Sequence, residues 1–189
     1  MKSVGSYCFH ELFYNCKNIS DCSSMTLPAT TLADGCYDNM FFGCSSLTQA
    51  PSLPATTLAS YCYYHMFHGC LSLTQAPSLP ATTLAGACYS LMFYGCTSLA
   101  QAPAIKKYTP DLYAFSYMLN TINYDTNKWS LTSCNWPDLT LSEAERMVLN
   151  ESIFGDDDSG ASVRISITCK DGSGTAYYDS RKSSWVFEY

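Results

Sequence analysis

Charged side chains are scarce in this sequence. Lysine and arginine number 10 and aspartate and glutamate 16 among 189 residues, and the formal net charge is −6. Charged residues make up 14% of the chain, against about 25% in a typical soluble domain. The chain therefore lacks the basic face that nucleic-acid binding requires, and we expect no nucleic-acid partner. It also lacks a polybasic segment for an electrostatic membrane anchor.

Long apolar runs are missing as well. No uninterrupted stretch reaches the roughly 18 apolar residues of a transmembrane helix, so we expect no membrane span. Residues 1–6, MKSVGS, have no apolar core of signal-peptide length. Either the protein stays inside the cell, or its export signal is not part of this sequence.

Patterns of catalytic residues are also missing. The three histidines, His10, His65 and His68, have no repeated acidic partner. No serine lies in a nucleophile elbow, and there is no glycine-rich phosphate loop. Tight Cys-x-x-Cys spacing is absent too. We therefore expect a protein that is not an enzyme and holds neither a cofactor nor a metal.

An internal repeat dominates what is present. Residues 36–61 read CYDNMFFGCSSLTQAPSLPATTLASY, and residues 62–87 read CYYHMFHGCLSLTQAPSLPATTLAGA, with 20 of 26 positions identical. Residues 88–105 begin a third such copy, an earlier copy starts at Cys8 with a period of 28, and a faded copy follows Lys106. We count about five copies, which we number in chain order from the one that contains Cys8.

Local patterns within one copy predict its structure. Residues 73–76 are a short strand candidate, and residues 79–84 predict an extended arm whose leucines point inward. Residues 88–93 predict a helical turn, because Cys88 and Met92 are four residues apart. Gly95 follows where a left-handed residue would end that turn. The same place holds glycine in two other copies and Asn15 in the first, which favours a positive φ.

The repeat resembles the BspA-like, treponemal-type leucine-rich repeats. The resemblance rests on Met-Phe-x-Gly-Cys-x-Ser-Leu at residues 40–47, 66–73 and 92–99, and on Leu-Pro followed by Leu-Ala in the arm. It implies an α/β solenoid, a right-handed leucine-rich-repeat coil with one short strand per repeat. We assign residues 1–127 to this solenoid and residues 128–189 to a small α+β C-terminal cap. The family further implies a bacterial surface or secreted binding protein.

Cysteines recur in pairs eight residues apart, and the total of eleven is odd. The pairs are Cys8/Cys16, Cys36/Cys44, Cys62/Cys70 and Cys88/Cys96. If the copies stack, equivalent cysteines form two ladders. We interpret them as small buried hydrophobic residues that stay reduced; disulfides along a ladder are the alternative, although their geometry is demanding.

Positions that differ between copies indicate where a ligand could bind. The mismatches cluster on the predicted turn side, whereas the strand and its proline arm barely vary. This ridge supplies aromatic area without charge, which suits recognition at low entropic cost. The candidate ligand-binding residues are Tyr61, Tyr64, His65, His68, Leu71 and Tyr94. The alternatives are that these positions are merely exposed and unconstrained, or that the near-identical Thr48/Gln49 and Thr74/Gln75 face binds a repetitive ligand.

The C-terminal part has ordinary secondary-structure signals. Ser142 and Glu145 read as a capping box for a helix of about 143–152. Residues 163–169 alternate as a half-buried strand. Residues 170–174 predict a hairpin turn, with further strands at 176–178 and 185–189. Residues 156–160 predict a loop, for which calcium binding is an alternative, although the spacing and distal glutamate of an EF-hand are absent.

These observations predict a non-enzymatic recognition module. We expect an adhesin-like protein at the bacterial cell surface or secreted, with a host protein or glycan as its partner. The alternative is a structural spacer or assembly component of a phage virion or cell envelope.

Overall fold

The computed structural model describes residues 4–109, 112–126, 128–150, 152–155 and 163–189. Within these ranges, regular secondary structure begins only after residue 121. It consists of six strands and one helix: β1 (Ile122–Asn123), β2 (Lys128–Trp129), β3 (Ser133–Trp136), α1 (Leu141–Leu149), β4 (Arg164–Cys169), β5 (Gly172–Asp179) and β6 (Ser184–Glu188). The predicted loop at 156–160, and with it the calcium alternative, lies outside the described residues.

The predicted α/β leucine-rich-repeat solenoid is wrong. In the described part of the repeat region, the predicted strand 73–76 is reduced to isolated bridges, such as the parallel bridge from Gln49 to Gln75. The predicted helical turn at 88–93 is a series of tight turns, and α1 is the one helix of the described chain. The regular structure lies instead in two small open sheets, β1-β2 and β3-β4-β5-β6.

Backbone hydrogen bonds explain why no helix forms in the repeats. Along residues 35–44, every second N–H group donates to the carbonyl three residues earlier, as Met40 does to Tyr37. The N–H groups between them donate to the next copy, as Tyr37 does to Cys62 over 3.0 Å. A helix would direct each of these donors to the fourth preceding carbonyl. Half of them instead join one copy to the next.

Every fourth residue of the turn segment adopts a positive φ. In one copy these are Tyr61 (57°), His65 (53°) and Gly69 (69°), and the same three places are left-handed in the copies on either side. Such a residue reverses the chain before a helical turn can continue. Buried residues consequently recur with a period of four, which reproduces the Cys88/Met92 spacing without a helix. The positive φ predicted at Gly69, Gly95 and Asn15 is confirmed.

Buried aromatic side chains link successive copies. Tyr37, Tyr63 and Tyr89 stack with ring centroids 5.8 and 5.9 Å apart. A parallel row passes through Phe67, which lies 5.5 Å from Phe41 and 5.6 Å from Phe93. All of these side chains are at most 1% exposed. Each copy therefore completes its core by contact with its neighbours.

The C-terminal sheet runs in the order β3-β4-β5-β6, and only the β3-β4 pair is parallel. β4 alternates exposed and buried residues as predicted, and it begins at Arg164. The hairpin predicted at 170–174 is confirmed, but its turn is shorter than predicted, because Cys169 pairs with Gly172 and β5 begins there. Strand β5 contains the predicted segment 176–178, and β6 contains the predicted segment 185–189 except for Tyr189.

The helix begins earlier than predicted, since its N-cap is Thr140 and not Ser142. Thr140 accepts a hydrogen bond from the Glu143 N–H, and its own N–H donates to the Glu143 carboxylate over 2.7 Å. Asp171, in the turn between β4 and β5, accepts from the Leu141 N–H over 2.8 Å. This contact satisfies a free donor of the first helical turn. It comes from a distant segment, so the local pattern could not reveal it.

Two hydrogen bonds connect the end of the repeat region to the chain after α1. The Tyr117 N–H donates to Ser152 over 3.1 Å, and the Leu119 N–H donates to Ile153 over 2.8 Å. In the preceding copies, the N–H groups at these two positions donate to the copy that follows. The boundary expected between 127 and 128 falls between β1 and β2, which pair with each other, and it stays a prediction. No helix in the described ranges is long and apolar enough to cross a membrane.

Candidate functional site

A third row of stacked rings lies at the surface of the repeat region. Tyr14 stacks on Phe42 at 4.9 Å, Phe42 on His68 at 4.5 Å, and His68 on Tyr94 at 4.9 Å. We call these four residues the outer ladder. Each of them directly precedes the left-handed asparagine or glycine that ends its turn segment, Asn15 in the first copy. The repeated backbone therefore fixes the place of these rings while their identities vary.

The structure brings most of the predicted binding residues together. Tyr61 and Tyr64 meet edge to face at 5.5 Å, and the rings of Tyr64 and His65 lie 3.9 Å apart. His65 in turn meets His68 edge to face at 5.0 Å. These four residues form a continuous aromatic cluster that joins the outer ladder at His68. Tyr61 is half exposed, whereas the other three are partly buried.

Leu71 and Tyr94 line a cleft that the repeats form with the β1-β2 connection. Its volume is about 270 Å³. Leu71 is 47% exposed, and the Tyr94 hydroxyl lies 3.0 Å from that of Tyr124. The cleft is lined by His68, Gly69, Leu71, Tyr94, Gly95, Thr97, Ile122, Asn123, Tyr124 and Asp125. Three of the six predicted residues therefore contribute to one concave site.

Tyr124 and Asp125 were missed by the sequence analysis. They lie in a tight turn in which the Asn123 side chain accepts hydrogen bonds from the backbone N–H groups of Asp125 and Thr126. Asparagine commonly begins such turns, so the segment Asn-Tyr-Asp-Thr-Asn predicts a loop tip. That the tip lies against the outer ladder depends on tertiary structure.

Burial favours the neutral form of both histidines of the cluster. Burial lowers the pKa of His65 to about 4, with a further contribution from His68. Burial also lowers the pKa of His68. The Nδ1 atom of His68 is buried and has no hydrogen-bond partner among the described residues. Asp125 is therefore the one charged side chain among the residues that line the cleft.

The rival glutamine face also carries concave surface. One groove of about 280 Å³ is bordered by Gln49 and Gln75, and a second of about 320 Å³ by Gln75 and Gln101. The two grooves repeat the same Gln-Ala-Pro chemistry in adjacent copies. The second groove also includes Asn135 from β3. The two grooves have no aromatic lining, and their polar groups are exposed glutamine, asparagine, serine and threonine side chains.

The cysteine ladders are part of the core. None of the eleven cysteines, all of which lie within the described residues, forms a disulfide, and nine of them are buried. Cys8 and Cys16 in the first copy are exposed, contrary to the prediction of buried ladders throughout. Thiols of the second ladder donate to the preceding copy, as Cys70 does to the Phe41 carbonyl over 3.2 Å. Burial raises the pKa of Cys36 and of Cys96 to about 12, which keeps these thiols protonated and unreactive.

Neither a metal site nor a family assignment emerges. Within the described ranges, no three histidine, cysteine or acidic side chains converge as metal ligands. Comparisons with protein-family models, curated proteins and solved structures each found no match to this chain. The resemblance to BspA-like repeats therefore depends on the motif residues alone and stays a prediction.

Proposed function

We propose that this chain is a non-enzymatic recognition module that binds a neutral glycan in the cleft between the outer ladder and the β1-β2 connection. The observation that carries the proposal is the composition of that cleft. It combines the half-exposed apolar side chain of Leu71 with the paired hydroxyls of Tyr94 and Tyr124 beside the Asp125 carboxylate.

The chemistry of a sugar ring matches this lining. Its faces present C–H groups, which suit Leu71 and the aromatic rings, and its edge presents hydroxyls, which suit the tyrosine hydroxyls and the Asp125 carboxylate. Pockets that bind small polar ligands typically combine apolar walls with a few placed polar groups. Tyrosine supplies both properties, because it has an apolar body and a polar tip.

The scaffold behind the cleft favours preorganised binding. His68 is held between Phe42 and Tyr94 by stacking on both faces. The Gly69 and Gly95 turns behind these rings are joined by a hydrogen bond from the Gly69 N–H to the Tyr94 carbonyl, 2.8 Å long. Side chains that are already ordered lose little entropy when a ligand binds.

This proposal places the protein at the bacterial cell surface or in the secreted fraction, where glycans of hosts or neighbouring cells are accessible. The near absence of charge in the repeats supports a neutral ligand, since such a surface offers no long-range attraction to ions. Affinity should accordingly change little between low and high salt.

A paired mutant comparison tests the proposal. The full chain is applied to an array of neutral glycans, and affinity for the best one is measured by calorimetry. The variant Leu71→Ser/Tyr124→Ala alters two exposed cleft side chains, and Gln49→Ala/Gln75→Ala is the matched control on the rival face. We expect the cleft variant to lose at least about tenfold in affinity and the control to bind like the parent chain.

Two outcomes would overturn the proposal. Binding that is lost only in the glutamine variant would assign the ligand to the rival face. Failure of the parent chain to bind any neutral glycan would remove the glycan as the ligand class. Equal thermal midpoints of the two variants exclude an effect through folding.

A further inference from the structure

The first copy of the repeat carries carbonyl groups that no backbone donor satisfies within the described residues. In the second copy, five alternate carbonyls accept hydrogen bonds from the copy before it; these belong to Asp34, Cys36, Asp38, Met40 and Phe42. Their equivalents in the first copy are those of Ser6, Cys8, His10, Leu12 and Tyr14, for which no such bond exists in the described chain. This end of the repeat region is therefore a row of acceptors.

Apolar groups surround that row. Phe9 and Phe13 begin the two buried aromatic rows, stacking 5.3 Å from Tyr37 and Phe41 respectively, yet they are only partly buried. A cleft of about 240 Å³ opens beside them, with an almost entirely apolar lining that includes Leu12, which is 53% exposed. We call the acceptor row and this cleft together the N-terminal face.

The polarity of the face restricts what can cover it. Two N-terminal faces cannot pair with each other, because carbonyl groups would meet carbonyl groups and lose their water without compensation. At the opposite end of the repeat region, two of the donors that a head-to-tail contact would use are already taken. There the N–H groups of Tyr117 and Leu119 already donate to Ser152 and Ile153.

We propose that the N-terminal face docks a polypeptide segment folded as a further copy of this repeat. Such a segment presents N–H groups on alternate residues, as Tyr37, Asn39 and Phe41 do toward the third copy. It also places aromatic rings at the spacing that continues the rows from Phe9 and Phe13. An ordinary helix satisfies its own donors and does not match this row. This docking is independent of the proposed glycan binding.

Extension of the chain by one copy tests the inference. A block with the sequence of residues 36–61 replaces residues 1–7, so that the Ser-Tyr pair at its end takes the places of Ser6 and Tyr7. A scrambled block of equal composition is the matched control. The readout is the alkylation rate of each cysteine, followed by mass spectrometry in the native state. The exposed Cys8 and Cys16 report on the face, and the buried Cys70 and Cys96 report on folding.

The repeat block, and not the scrambled block, should slow alkylation of Cys8 and Cys16 by at least about tenfold, because the docked copy must open before they react. Equal rates in both extended chains would overturn the inference. So would loss of protection at Cys70 and Cys96 with the repeat block, since a copy that docks cannot unfold those behind it. Light scattering of the parent chain should give a monomer, and a dimer that the repeat block abolishes would contradict the polarity argument.

Discussion

The repeat region and the C-terminal sheet satisfy their backbone in different ways. In the sheet and α1, hydrogen bonds follow standard ladders, and β4 and β5 pair over six residues. In the repeats, each turn segment divides its donors between its own turns and the next copy, as at Met40 and Tyr37. Rules that predict secondary structure from local patterns assume the standard ladders of helices and sheets. They therefore identified strands where the sheet lies and wrongly predicted helical turns in the repeats.

The two regions also differ in what they bury. The sheet buries aliphatic and aromatic side chains such as Ile165, Ile167 and Trp185, and in β4 these alternate with exposed polar residues. The repeats bury seven of the nine buried cysteines together with rows of stacked rings. A small thiol fits between copies that approach closely, and it can donate to a neighbouring carbonyl. The repeat region is therefore expected to respond to conditions that ionise thiols.

The largest expected effect is a loss of stability at alkaline pH. Burial raises the pKa of Cys36 and of Cys96 to about 12 and that of Cys44 to about 11, from the ordinary 9.0. Between pH 9 and 11 the unfolded chain has released protons that the folded chain retains, so the free energy of unfolding falls as pH rises. Each thiol contributes at most about 1.4 kcal/mol per pH unit, a slope approached near pH 10, where the unfolded thiol is mostly ionised and the folded one is still protonated. Urea titrations across this range, with reductant present, measure the slope.

Cys96→Ala is the matched variant for that experiment. It should reduce the slope by the contribution of one thiol, at most about 1.4 kcal/mol per pH unit. A free energy of unfolding that stays level from pH 9 to 11 would show that the thiols are not protonated core residues. Thiol titration in denaturant without reductant should count near eleven, and a count near one would indicate disulfides.

A glycine series sharpens the comparison of backbones. Gly69 has φ 69°, and an added Cβ would lie 3.8 Å from the Gly43 Cα, an ordinary contact, so only the conformation resists substitution. Gly69→Val should cost about 1–2 kcal/mol, Gly69→Ala less and Gly69→Asn least, because asparagine tolerates the left-handed region. Denaturation midpoints of the three variants provide the measurement.

Gly174 in β5 is the control from the other region. Its φ is not positive, and an added Cβ would meet the Phe187 ring at 2.6 Å, so a steric clash and not the backbone excludes larger residues. Asparagine should therefore give no rescue over alanine at Gly174. Rescue by asparagine at both glycines, or at neither, would contradict the distinction between the two regions.

The smallest expected effect concerns the start of α1. Thr140→Ala should cost about 1 kcal/mol, because it removes the N-cap acceptor. Ser142→Ala should be close to neutral, since Ser142 lies within the first turn and is exposed. Thermal denaturation of the two variants shows which residue is the N-cap. A larger loss of stability in Ser142→Ala than in Thr140→Ala would support the capping box expected from the sequence.

The sequence predicted which side chains share a buried or an exposed face better than it predicted the backbone conformation. The spacing of Cys88 and Met92 identified a buried face, but periods of 3.6 and 4 cannot be separated over so short a segment. Comparison of the copies selected His68, Leu71 and Tyr94 as part of a ridge, and the structure shows that these three residues line one cleft. The comparison could not find Tyr124, because the segment that carries it is not part of the repeat. The exposure of Cys8 was missed because the prediction treated all copies alike, whereas the first copy has no preceding copy to cover it within the described residues.

The hydrogen bonds between copies test the account most directly. Scalar couplings across hydrogen bonds, measured by NMR on the labelled full chain, identify the acceptor of each amide. The account predicts a coupling from the Tyr63 N–H to the Cys88 carbonyl, a bond of 3.1 Å in the structure. A coupling from the Tyr63 N–H to the carbonyl of Ala59, four residues earlier, would instead show a helical turn and contradict it.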